Sequence, residues 1–132
     1  MLELYNILSN IIDPICKSYN SHYPTLQDGD TVKSYPHVII NFPTSTANNE
    51  FSDNNLLELS IWDDKDTDIN EIETITDAIH EALNKTRYLT PTIFAYITKE
   101  VPYRIVLNDE MIGIQRRKLR YKVRLYKIQG VI

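Results

Sequence analysis

Asp64, Asp66 and Asp68 stand at alternate positions, the spacing at which three carboxylates begin a calcium-binding loop. That loop needs a glycine at its sixth position for a sharp turn and a glutamate at its twelfth for bidentate ligation, and Ile69 and Ile75 occupy those places. The same acids suit the front of a helix, where backbone amides lack partners and the dipole favours negative charge, with Asp68 as the capping side chain. His80-Glu81 opens as a zinc-protease helix would, but the second imidazole has to fall one turn later, at Asn84. His22, His37 and His80 lie in three separate segments with no pair at ligand spacing. Cys16 adjoins Lys17, and a nearby cation lowers a thiol's pKa, yet a single cysteine at the edge of an apolar helix reads first as a small core side chain. No serine sits in a Gly-x-Ser-x-Gly elbow, and Gly29, Gly113 and Gly130 form no phosphate-cradling loop. These residues predict no catalytic constellation, no metal and no cofactor, hence no enzyme.

Charge is the feature left. A net charge of −4 conceals a separation along the chain. Between Asp63 and Glu81 eight acids accompany one base, Lys65, whereas the twelve residues from Arg116 to Lys127 hold seven bases and no acid, half of all 14 Lys and Arg. Such segregation bears on partners rather than on fold. Within the basic segment Leu119, Tyr121, Val123 and Leu125 alternate with Lys118, Arg120, Lys122 and Arg124, so a strand here turns an apolar row inward and a ladder of four positive charges outward. Three readings of the ladder stay open: a solvated face paired with its own acids, a protein interface, or a track for nucleic-acid phosphates. A pI near 5.3 is unlike that of a dedicated nucleic-acid binder. Trp62 is either an exposed interface anchor or packed beneath another element.

The elements that must position these residues follow from periodicity. Leu4, Ile7, Leu8, Ile11, Ile12 and Ile15 mark one helical stripe, predicting a helix over 2–12 that Pro14 stops. Residues 19–36 and 43–54 lack a period and read as two exposed loops. His37-Val38-Ile39-Ile40-Asn41-Phe42, between Pro36 and Pro43, predicts a strand buried on both faces, and 55–62 predicts a half-buried one. Ile69, Ile72, Ile75, Ile79 and Leu83, with a capping box of Asp68 and Glu71, predict a helix over 69–84. Runs at 92–98 and 103–107, interrupted by Pro102, are a hairpin or one broken edge strand, and 115–128 is the basic strand.

At 132 residues the chain is one domain, 1–132, with no repeat or linker to split it. Its apolar runs are too short to cross a bilayer and its start lacks a basic leader region, so it is expected to be neither membrane-spanning nor secreted, and a lone Cys16 suits a reducing compartment. The order of elements predicts an α+β fold in which two helices pack on one face of a mixed, mostly antiparallel sheet of four to five strands.

In this order the segments resemble the tail terminator proteins of long-tailed bacteriophages, also called tail completion or tail-to-head joining proteins. The resemblance covers about residues 2–128. It rests on the short first helix, the proline-bearing loop ending Tyr35-Pro36-His37-Val38, the strand Leu57-Glu58-Leu59-Ser60-Ile61-Trp62, the Ile-spaced helix, and a closing segment with Asp109, Ile114, Arg116, Leu119, Tyr121, Val123 and Tyr126. Asn84 stands where that family often has a glycine after the second helix, and Asn tolerates the left-handed turn. The resemblance implies a virion subunit in the neck of the tail, assembled in the host cytoplasm, that forms a ring, typically a hexamer. The ring would end the tail tube and meet the head connector or stopper, with DNA at most passing through. Alternatives are another neck protein such as a connector stopper, a small nucleic-acid-binding module, or a small enzyme.

A ring requires unlike surfaces to meet, and the sequence nominates Arg116, Arg117, Lys118, Arg120, Lys122 and Arg124 against Asp63, Asp64 and Asp66, with Trp62 and Phe51 as apolar anchors. The two loops are expected to be poorly ordered in an isolated subunit and ordered by assembly.

Overall fold

The computed structural model describes residues 2–21, 35–47, 52–65, 68–108 and 113–127. Helix α1, Leu2–Ile12, buries Leu4, Leu8 and Ile12 and ends before Pro14. The Asp13 carboxylate then accepts from the Ser18 amide at 2.9 Å and hydroxyl at 2.6 Å, turning the chain into strand β1, Ser18–Asn20. β1 lies parallel to β2, His37–Ala47, which forms a hairpin with β3, Ser52–Asp63. Helix α2 is Asn70–Leu83, and three strands close the chain: β4, Thr86–Leu89; β5, Ile93–Asn108; and β6, Gln115–Lys127. All six strands form one mixed sheet in the order β1-β2-β3-β6-β5-β4, antiparallel except for the β1/β2 pair.

The α+β class holds, with six strands in place of four to five. Both additional strands are short and sit at the sheet edges. β1 is only Ser18-Tyr19-Asn20, a composition that reads as turn, and it reclaims the start of the expected 19–36 loop; residues 22–34 of that loop lie outside the described residues. The expected loop over 43–54 is largely hairpin: β2 runs on to Ala47 and β3 starts at Ser52, because the register shift between Asn41 and Thr44 absorbs Pro43 without ending the pairing. The runs at 92–98 and 103–107 are one strand, interrupted by a second register shift between Lys99 and Arg104 that contains Pro102. β3 and β4 are antiparallel and far apart in the sheet, so the connection through α2 is no parallel crossover.

One face of the sheet carries the core. Val38 and Ile40, Leu57, Leu59 and Ile61, Ala95 and Ile97, and Leu119, Tyr121 and Val123 form a single buried cluster with Leu4, Leu8 and Ile12 of α1 and Ile72, Ile75, Ile79 and Leu83 of α2. Both helices therefore cover the same side. β2 is buried on both faces at its start, where His37 on the side away from the core is 3% exposed, while Ile39 on that same side is half-buried. The capping box at α2 does not form. Asp68 accepts instead from the Asn70 amide at 3.0 Å, an Asx-type contact ahead of the first turn, and Asp68 itself donates its amide to the Lys65 carbonyl. At the far end Asn84 is extended and Lys85 takes the left-handed conformation, with φ 60°.

Asn55 sits on the core face opposite Val123, is buried, and finds no hydrogen-bond partner for either amide atom among the described residues. A buried polar group without a partner forfeits its hydration for nothing, so Asn55→Val should raise the unfolding free energy by about 1 kcal/mol in a denaturant titration. A loss of stability would show that the amide has a role in the fold.

Candidate functional site

The opposite face of the sheet has no helix on it among the described residues. Strand alternation sends Arg116, Lys118, Arg120, Lys122 and Arg124 of β6 to this side, one base more than the expected ladder of four. Register places Trp62, Ser60, Glu58, Leu56 and Asn54 of β3 beside them in that order. On the other flank β5 contributes Leu107, Ile105, Thr98, Tyr96 and Phe94. β4 adds Arg87, whose guanidinium lies over the Tyr96 ring at 5.0 Å.

Glu58 is the one carboxylate in these rows, and it reaches Lys118 at 3.4 Å and Arg120 at 3.8 Å. Neither Lys122 nor Arg124 has an acid partner among the described residues. Arg116 stacks over Trp62 at 4.5 Å and donates to the Ser60 hydroxyl at 3.3 Å. Trp62 also stacks on His37, which lies against Tyr35, so the two alternatives for Trp62 resolve into a half-buried ring held between a guanidinium and an imidazole. The face is basic and aromatic, with Arg116 over Trp62 and Arg87 over Tyr96.

Two of the nominated interface residues are elsewhere. Arg117 falls on the core side of β6, where its side chain is 7% exposed and its Nε donates to Glu73 Oε1 at 2.7 Å. Asp63 is wholly buried; its Oδ1 accepts from the Asp64 amide, and burial raises its carboxyl pKa above the ordinary value. Both are packed inside the fold, where the parity of their strands turns them toward α2. Asp64 is exposed beside Asp63, and Asp66 and Phe51 lie outside the described residues.

The acidic run is drawn on from within. Glu73 bridges Arg117 and Arg104, Arg104 also reaches Asp77, and Lys65 approaches Glu71 at 3.7 Å. Burial opposes the Arg104 charge, but Asp77 and Glu73 outweigh it and raise its pKa. Sequence reasoning missed Arg104, Glu58 and Arg87 because each acquires its role from strand register, which one strand's periodicity does not reveal. The bulge between Lys99 and Arg104 in particular restores Arg104 to the core side opposite Leu119.

The remaining candidate chemistry is structural. Cys16 is buried and burial raises its thiol pKa to about 11, the reverse of an activated nucleophile. Among the described residues no His, Cys, Asp and Glu converge as a metal site. The Tyr121 hydroxyl, deep in the core, meets His80 Nδ1 at 2.7 Å, and the Tyr103 ring covers the imidazole. Burial first, then Lys99 and Arg104, lower the His80 pKa against the pull of Asp77. A histidine that resists protonation when folded contributes fully above its unfolded pKa of about 6.5 and loses that contribution as pH falls toward its folded value. Melting temperature should therefore drop between pH 7.5 and 5.5, and drop less in His80→Gln; equal drops would remove His80 from the account.

The chain matches no protein-family model, and no curated protein is significantly similar to it.

Proposed function

We propose that this chain is a structural subunit of the virion neck of a long-tailed phage, a tail terminator that assembles into a closed ring, ends the tail tube and joins it to the head connector. The observation that carries the reading is the open sheet with two unlike edges. One edge is the three-residue β1; at the other, β4 pairs only with Phe94–Ile97, leaving the rest of β5 without a neighbour on that side among the described residues. Val101 and Val106 on that stretch are 86% and 62% exposed. Unlike edges can meet only head to tail, and a head-to-tail contact that closes makes a ring. Further support comes from the sequence resemblance to tail terminators.

A phage lacking the chain tests the role directly. As a terminator it should leave heads unjoined and tail tubes of uncontrolled length. Tubes of normal length beside heads that fail to hold their DNA would instead assign it as a connector stopper.

A further inference from the structure

We infer that the basic face of the sheet, on which no described helix packs, binds the phosphodiester backbone of nucleic acid without regard to sequence. The five bases of β6 stand about 6.7 Å apart along one strand, from Arg116 to Arg124 over roughly 27 Å, since alternate residues of a strand repeat at twice its rise. A row of evenly spaced cations matches a periodic polyanion, and each strand of a DNA duplex offers a phosphate every ~3.4 Å of axis, so every rung can meet its own phosphate.

Complementarity within the protein is the competing explanation, and four acids of the 63–81 run are already engaged on the other side of the fold. Glu73 and Asp77 are held by Arg104 and Arg117, Glu71 by Lys65, and Asp68 by the Asn70 amide. On the face itself Glu58 stands against five bases of β6 and Arg87 of β4. The aromatic rings do not point to base readout. Arg116 lies over Trp62 and Arg87 over Tyr96, so these rings are already engaged by the protein's own cations, and the Lys122 side chain further along the row is exposed to meet phosphate oxygens. Contact is then with backbone, which positions a ligand and carries no sequence information.

The inference does not rest on the ring. It is tested with the full chain and fluorescein-labelled 20-nucleotide single-stranded DNA, the same sequence as duplex, a single-stranded RNA, and polyglutamate as a protein-like polyanion, each by anisotropy from 50 to 200 mM salt. With about five phosphates neutralised, affinity for a single strand should fall roughly 100-fold across that range, because the slope of log K on log salt is about −0.7 per phosphate. Arg120→Gln, Lys122→Gln and Arg124→Gln together should cut that fall to less than about tenfold, the slope becoming shallower by roughly 2. Glutamine avoids setting a new carboxylate opposite Glu58. Glu58→Gln, which frees Lys118 and Arg120, should tighten binding. Tightest binding to single strand, duplex or RNA identifies the form taken. No binding at 50 mM salt, an unchanged slope in the triple variant, or equal affinity for polyglutamate overturns the inference. So does a folded triple variant that loses an assembly the wild type forms, because the face is then a contact between copies and the ring reading survives. A wild type that stays monomeric yet binds nucleic acid with the expected slope overturns the ring alone.

Discussion

Glu73→Ala should lower the unfolding free energy by about 2–3 kcal/mol. Glu73 is the shared acceptor for two arginines, with Arg117 Nε on one carboxylate oxygen and Arg104 on the other. Removing it strands Arg117, whose side chain is 7% exposed and whose other contact is a 3.2 Å bond to the Arg116 carbonyl. Breaking a fully buried pair costs roughly 3–5 kcal/mol, and the figure here is lower because a third of the Glu73 side chain remains in water. Asp77→Ala should cost well under 1 kcal/mol, since its side chain is 69% exposed and Arg104 keeps Glu73. Adding Arg117→Met to Glu73→Ala should recover part of the loss by withdrawing the stranded charge. Denaturant titrations of the four proteins measure this; equal costs for Glu73→Ala and Asp77→Ala would deny Glu73 its shared role.

Val101→Lys with Val106→Lys should abolish assembly while leaving a folded monomer. The two valines lie 86% and 62% exposed on the stretch of β5 that β4 leaves open, so replacing them removes little core. A strand edge bears a row of free N–H and C=O groups that templates another strand, and lysine on an edge is the device by which natural sheets prevent such pairing. If β5 of one copy meets β1 of the next, two like charges per contact suffice to block closure at every position of the ring. Circular dichroism should match the wild type, and native mass should show the single chain. Intact rings in the double variant would place the subunit contact elsewhere in the fold.

Much of the scaffold was legible because burial on one side imposes a period. The stripes of α1 and α2, and the alternation of Leu57, Leu59 and Ile61 and of Leu119 to Leu125, each report their own element locally. What escaped depends on register or on edges. Thr44, Ser45, Asp53 and Asn54 continue the β2/β3 hairpin with side chains that read as loop, because pairing with a neighbouring strand outweighs composition there. Prolines at 43 and 102 suggested chain breaks, yet each sits within a register shift that the sheet tolerates. The basic ladder was legible as a row of charges; that Glu58 stands beside Lys118 and Arg120 required the register of β3 against β6, and that Glu73 takes up Arg117 required the packing of α2.

The most direct measurement is the native mass of the purified full chain across a range of concentrations at moderate salt. A discrete closed oligomer, six copies and about 92 kDa from a 15.4 kDa chain, is the result the account predicts, because unlike edges joined head to tail make a ring when the rotation between copies closes. A monomer at every concentration, or a dimer related by a two-fold axis, would contradict it.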